Sequence, residues 1–270
     1  LTVWNRTQSK MKEIVDQGAK SGKSPRDVAA QSQVVITMLT GSADVEQVVL
    51  GKDGVLEGMT PGSTVIDMST ISPETSRSVA SKVAAKGFSM LDAPVSGSIG
   101  IAANAALTIQ VGGDAKVFDA HRDVLAAMGK NIFHVGGNGM GCTMKLVGNA
   151  LMGVNMAVLA EALCLGAKAG IPTDVMVNVL KNTGGASGVL ERRSPLVLQG
   201  DYKAQFMLKL LYKDLGLALD SAAVDPIPLP IIGHVRQIYA QAMAEGHGDQ
   251  DFAAVAALAE NLAKVSLKKK

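Results

Sequence analysis

The feature that most constrains this chain is a change of pattern near residue 141. Up to about residue 135, short apolar runs alternate with helical stretches, whereas no strand pattern occurs beyond Gly141. Residues 142–169 read instead as a single apolar helix, roughly 40 Å long at 1.5 Å per residue. An α/β region is therefore expected over 1–141 and an all-helical region over 142–270, joined through that helix. Further helices are expected near 172–182, 187–198, 206–224, 230–246 and 250–265, with Pro226, Pro228 and Pro230 stiffening the 225–230 connection.

Within the first region, strands are expected at 1–4, 34–39, 64–67, 88–91, 107–111 and 132–135. Ser24-Pro25 and Ser72-Pro73 each offer an N-cap serine followed by proline at the first helical position. Asp114 can cap a helix reaching Met128. Strands separated by helices predict a parallel, doubly wound sheet, with 34–39 a buried strand. The chain has one Trp, three Tyr and five Phe, so its core must be built from Ala, Val, Leu, Ile and Met. That composition disfavours an antiparallel sandwich.

Net charge is +2 with both signs interspersed, which leaves no nucleic-acid footprint. The Lys268-Lys269-Lys270 tail reads as a solvated end. Cys142 and Cys164 fall on one predicted helix, too far apart to bridge, and read as small buried hydrophobes of a reducing compartment. No stretch reaches the ~18 uninterrupted apolar residues of a membrane span, and no charged-then-apolar leader opens the chain. A cytoplasmic location, no membrane partner and no metal site are expected.

The chain opens inside a strand. A dinucleotide fold begins with a strand, a glycine-rich turn and a helix, so about 25–30 residues of such a unit are expected ahead of Leu1. No G-x-G-x-x-G occurs. The run Gly136-Gly137-Asn138-Gly139-Met140-Gly141 fails that spacing and carries no phosphate-binding lysine, so it reads as the start of a helix.

Several residues carry chemistry. Lys145 lies in the first turns of the long apolar helix, with Asn149 four residues later on the same face. An ammonium there must be paired, hydrated or deprotonated, and snorkelling to water is its ordinary fate. Asn5-Arg6-Thr7 follows the first strand, where an arginine suits a 2′-phosphate as an acidic residue suits ribose hydroxyls, although a surface turn would look the same. The loop Asp92-Ala93-Pro94-Val95-Ser96-Gly97-Ser98 combines a stiffening proline, a glycine and a hydroxyl, a donor set fit for a carboxylate or simply a turn. Asp67-Met68-Ser69-Thr70 lies at a strand's carboxyl end, the edge at which open α/β sheets bind ligands. Lys213-Asp214 reads as a solvated helical face, since neighbours at i,i+1 do not face each other.

In this order, the markers VWNRT (3–7), VVITMLT (34–40), IDMSTISP (66–73), LDAPVSGS (91–98), GNGMGCTMKLVGN (137–149), FMLKLLYKDLGLAL (206–219) and GHGDQDFAAV (246–255) are similar to those of the β-hydroxyacid dehydrogenases. That family includes 3-hydroxyisobutyrate dehydrogenase, tartronate semialdehyde reductase and the glyoxylate/succinic semialdehyde reductases. The resemblance covers essentially the whole chain. It implies a Rossmann-type dinucleotide-binding domain lacking its first βα unit, followed by an all-α domain.

It also implies roles. Lys145 resembles the catalytic acid/base and Asn149 the residue that orients substrate beside it. Ser96 and Gly97 match the substrate carboxylate loop, and Thr70 a residue near nicotinamide and substrate. Met38 and Leu39 match cofactor-contacting strand ends, Lys213 and Asp214 the helical pair that closes over the cofactor. Asn5, Arg6 and Thr7 match the NADP-preferring members, with NAD as second choice. The implied reaction is hydride transfer between nicotinamide and a small 3-hydroxy acid or its semialdehyde, and the implied assembly a homodimer or homotetramer. Ser98-Ile99-Gly100-Ile101 lacks the basic residues of the glyoxylate/succinic semialdehyde branch, whereas Asn5-Arg6-Thr7 points toward it. A decarboxylating 6-phosphogluconate dehydrogenase would need a sugar-phosphate cluster absent from this sequence. Lys145 argues against an imine reductase. An inert assembly module is disfavoured by the retained Lys145, Asn149 and Ser96 loop.

Overall fold

A computed structural model of the protein describes residues 1–269. The chain folds as two compact units, Leu1–Lys145 and Leu146–Lys270.

In the first unit the strands are β1 (Thr2–Val3), β2 (Lys20–Ser21), β3 (Val34–Thr37), β4 (Thr64–Asp67), β5 (Ser89–Asp92), β6 (Val95–Ser96), β7 (Leu107–Gly112) and β8 (Gly129–Gly136). Its helices of six or more residues are α1 (Pro25–Ala30), α2 (Ser42–Leu50), α3 (Pro73–Ala84) and α4 (Ala115–Ala120). Both serine caps form: Ser24 Oγ accepts from Asp27 N–H and Ser72 Oγ from Thr75 N–H, each at 3.1 Å.

The expectation of one parallel sheet needs correcting. β3, β4 and β5 are parallel, but β7 runs antiparallel to both β5 and β6, and β8 returns parallel to β7. The reason lies between β6 and β7. Only residues 97–106 join them, fewer than the dozen or so that a parallel crossover needs. β7 therefore turns back along β6 and along β5, which runs the same way as β6. β1 and β2 pair with each other in a separate two-stranded sheet. Neither β2 nor β6 is visible as a sequence pattern, because two residues give no periodicity.

The 34–39 run is also less buried than expected. β3 is an end strand of the six-stranded sheet, and Ile36 and Met38 are 42% and 65% exposed. The helix expected from Asp114 to Met128 breaks at His121, whose ring nitrogen Nδ1 lies 2.8 Å from Val117 O, the carbonyl a continuing helix bonds through its backbone. A separate turn, Arg122–Ala126, follows.

The central strands pack on both faces, as their alternation requires. Val35, Val65 and Met90 join Val45, Val49, Val79 and Val83 on one side. Ile66 and Leu91 join Ile109, Val111, Phe118 and Leu125 on the other.

The 29-residue helix α5 (Met140–Lys168) begins in the first unit and continues into the second. By length and composition it is apolar enough to cross a membrane, a property shared with the central helix of a helical core. The second unit adds α6 (Thr173–Leu180), α7 (Gly188–Gln199), α8 (Leu208–Val224), α9 (Pro230–Ala244) and α10 (Val255–Ala263). α8 starts at Leu208 rather than Phe206, because residues near 207 pair with Asp251 instead, and a 3₁₀ turn at Phe252–Ala254 precedes α10. Met156, Leu163, Leu190, Leu211, Tyr239 and Phe252 centre this core.

The exposed side chains of Lys268 and Lys269 fit the expected solvated end, although the backbone there is anchored. Leu267 is fully buried, Lys269 N–H donates to Leu198 O, and Lys269 Nζ lies 3.1 Å from Asp174. Lys270 lies outside the described residues.

Candidate active site

Lys145 is half-buried in the first turns of α5, and its Nζ donates to Ser96 Oγ at 3.2 Å. Three features hold this contact. First, the carboxylate of Asp92, fully buried at the end of β5, accepts from Gly139 N–H at 2.8 Å and Cys142 N–H at 2.9 Å. It thereby satisfies backbone donors that every helix start leaves orphaned, and its charge complements the helix dipole. Secondly, Gly141 lets the helix start approach β5 and β7: a Cβ there would lie 2.4 Å from Asp92 O and 2.6 Å from Gln110 O. Thirdly, Gly97 has φ +152°, and a Cβ would meet Leu107 at 2.7 Å, so only glycine suits the turn after Ser96.

Ser96 Oγ has a second neighbour, Gln110 Nε2 at 3.3 Å. Neither the Asp92 cap nor the role of Gln110 is legible in the sequence. Their partners lie dozens of residues away or on a strand too short to be read.

A second polar group ties the ends of β3 and β4 together. Asp67 Oδ1 accepts from Thr37 Oγ1 at 2.7 Å and Ser69 Oγ at 2.6 Å, while Ser69 Oγ accepts from Leu39 N–H at 2.8 Å. This network fixes the backbone from which Met38, Leu39 and half-buried Thr70 emerge. Thr37, Asp67 and Asp92 are register partners across three strands, which sets two buried carboxylates side by side.

Burial raises the Asp67 carboxyl above its ordinary range, against hydrogen bonds from Ser69 and Thr37 and with a further push from Asp92. Burial likewise raises Asp92, opposed by the Cys142 and Gly139 N–H groups. Burial, together with the Asp92 and Asp67 charges, holds the Cys142 thiol well above its usual value, so it stays protonated and unreactive. A carboxyl raised in the native state binds its proton more tightly there than in the unfolded chain. Stability from Asp67 is thus fully present below the ordinary carboxylate pKa and is lost as pH rises through the raised one. Asp67→Asn should remove that loss. In a melting series from about pH 4 to about pH 7, the variant should gain progressively on wild type, and a constant difference would contradict the assignment.

Arg6 projects from the turn after β1, where Asn5 Oδ1 accepts from Thr7 N–H at 2.8 Å. Its Nη1 lies 3.5 Å from Asp44 of α2, but the side chain is 85% exposed. Such a pair is weak in water and leaves the guanidinium available to a phosphate.

In the second unit Asn149 is buried, and its Nδ2 donates to Asp214 Oδ2 at 2.6 Å. Lys213 Nζ lies 3.1 Å from Asp214 Oδ1, and Asp214 is only 2% exposed. This corrects the reading of Lys213-Asp214 as a solvated face whose members do not pair. Burial pulls the aspartate inward, and the long lysine stem folds back to reach it. Asp214 thus holds Asn149, an uncharged donor and acceptor.

The family model described as the NAD binding domain of 6-phosphogluconate dehydrogenase matches residues 1–136. A second, described as NAD-binding of NADP-dependent 3-hydroxyisobutyrate dehydrogenase, matches residues 139–259. The chain is 40% identical to 3-hydroxyisobutyrate dehydrogenase of Pseudomonas aeruginosa, covering 90% of this chain and 84% of the relative. The chain belongs to the β-hydroxyacid dehydrogenase family. Another β-hydroxyacid dehydrogenase relative, 2-(hydroxymethyl)glutarate dehydrogenase of Eubacterium barkeri, is 38% identical over 94% of this chain and 85% of its own length. Among solved structures, 3-hydroxyisobutyrate dehydrogenase of Mycobacterium tuberculosis matches with a TM-score of 0.88 and 31% identity, covering 94% of this chain and 89% of that one. With β-hydroxyacid dehydrogenase membership goes the reaction class, nicotinamide-dependent oxidoreduction of a small hydroxy acid.

Proposed function

We propose that this chain is an NADP-preferring dehydrogenase or reductase of a small 3-hydroxy acid or its semialdehyde, of the 3-hydroxyisobutyrate type. The observation that carries the reading is the Lys145 Nζ to Ser96 Oγ contact at 3.2 Å, which sets an amine able to exchange a proton beside a hydroxyl able to donate to a carboxylate. Arg6, with Asn5 and Thr7, would hold the 2′-phosphate end of the cofactor, and Met38, Leu39 and Thr70 would line its course along the strand ends. Lys213 would contact the cofactor from the helical region, with Asp214 acting chiefly through Asn149. The bound cofactor supplies the hydride.

The chain's own residues do the rest. The substrate carboxylate is held by the Ser96 hydroxyl and the backbone at Gly97. In reduction, Lys145 gives a proton to the oxygen that becomes the alcohol; in oxidation it takes that proton back. While protonated, it also stabilises the developing alkoxide. Asn149 orients the reacting oxygen without changing the charge. We further propose a division at 141/142, a homodimer or homotetramer and a cytoplasmic location. Leu151, Val158 and Leu165, 62%, 56% and 76% exposed at seven-residue intervals on α5, support the assembly. The free thiols of Cys142 and Cys164 support the location.

The test is a panel assayed with both cofactors: 3-hydroxyisobutyrate, tartronate semialdehyde, glyoxylate and succinic semialdehyde. Turnover of a 3-hydroxy acid or semialdehyde with NADP(H) favoured is expected, and Arg6→Ala should erase that preference by raising the KM for NADPH about tenfold, as befits loss of a charged phosphate contact. Saturable binding of neither NADPH nor NADH would point to an inert module. An unchanged cofactor ratio in Arg6→Ala would remove Arg6 from the site.

A further inference from the structure

We infer that Gln110 is a positioning residue for the substrate carboxylate, acting through the Ser96 hydroxyl; this rests on the reading of Ser96 given above. A serine hydroxyl has two acceptor lone pairs and a single proton to donate. Lys145 Nζ at 3.2 Å and Gln110 Nε2 at 3.3 Å both approach Ser96 Oγ as donors. Together they occupy both lone pairs. The Ser96 proton is then directed at an acceptor outside this pair, and a substrate carboxylate oxygen is such an acceptor. Without Gln110, one lone pair is left open and the hydroxyl is free to rotate.

The sheet sets this geometry. Ser96 is the register partner of Thr108 on antiparallel β7, so Gln110 lies on the same face at the diagonal position. Gln110 N–H donates to Pro94 O at 3.1 Å, which fixes its backbone against the segment leading to Ser96. The amide does nothing comparable for folding, because its Oε1 is buried with no hydrogen-bond partner among the described residues. A buried orphan oxygen destabilises. An apolar side chain of the same length would suit the fold better, so the amide's contribution lies in its contact with Ser96.

The experiment is a double-mutant cycle of Gln110→Met and Ser96→Ala, using 3-hydroxyisobutyrate with NADP+, or the panel substrate turned over fastest. Gln110→Met should raise the KM for substrate about 3- to 10-fold, the size of one hydrogen bond. It should leave kcat within about twofold and the melting temperature unchanged or higher. In the Ser96→Ala background the same substitution should change KM less than about twofold, because its partner is gone. Equal effects in both backgrounds, or no effect on KM in either, would overturn the inference while leaving the role of Ser96 intact. A Ser96→Ala variant with wild-type KM, or no turnover of any panel member, would instead overturn the reading of Ser96 and this inference with it.

Discussion

Lys145→Ala should lower kcat by about 10²- to 10⁴-fold, the range for loss of a positioned general acid/base. Its melting temperature should stay within about 4 °C of wild type, because the side chain is only half-buried and losing its contacts, the Ser96 hydrogen bond among them, leaves the helix cap intact. The prediction is sharp because Lys145 touches Ser96, while the cap that holds the helix start belongs to Asp92. NADPH binding followed by fluorescence should survive, which separates lost chemistry from lost structure. Lys145→Arg should fail to rescue, since a guanidinium stays charged and cannot take a proton from the alcohol. Turnover near wild type in Lys145→Ala would end the acid/base assignment. So would a collapse of the fold at unchanged specific activity of the folded fraction.

Asp251→Ala should destabilise the helical unit by about 3–5 kcal/mol. Asp251 is fully buried at the loop that precedes α10. Its Oδ1 lies 3.0 Å from Arg193 Nε, and its Oδ2 accepts from Gln205 and Phe206 N–H, each at 3.0 Å. Arg193 also stacks over the Phe252 ring, with 4.9 Å from guanidinium carbon to centroid. Removing the carboxylate leaves a buried guanidinium uncompensated and strands backbone donors that the loop cannot turn toward water. A fall in melting temperature on the order of 10 °C or more is expected by circular dichroism, since each kcal/mol shifts a chain of this size by a few degrees. Asp251→Asn should lose less, because it keeps an acceptor oxygen. A shift under about 2 °C for Asp251→Ala would show that the pair is not the keystone of this loop.

Much of the candidate site is legible in the sequence because it depends on local chemistry. Ser72 followed by proline states a helix start in two residues, and the cap forms. Lys145 on an apolar helix stands out as a charge that needs a partner, although the partner cannot be read from the helix. Asp67 and Asp92 look like ordinary strand ends in sequence. Only the parallel register sets them side by side, and only burial raises both carboxyls. Lys213-Asp214 misleads for a related reason. Helical spacing says that adjacent residues diverge, but burial of Asp214 against Asn149 overrides that local geometry.

The sequence alone therefore determined the two-part plan, an α/β region followed by helices, and the chemical candidates Lys145, Asn149 and Ser96, because periodicity and capping act over a few residues. The tertiary structure alone decided that the sheet is mixed, that Asp92 caps the helix carrying Lys145, and that Gln110 shares the Ser96 hydroxyl with that lysine. Those outcomes come from backbone pairing between distant segments and from which polar groups are cut off from water. Neither quantity has a value until the chain has folded.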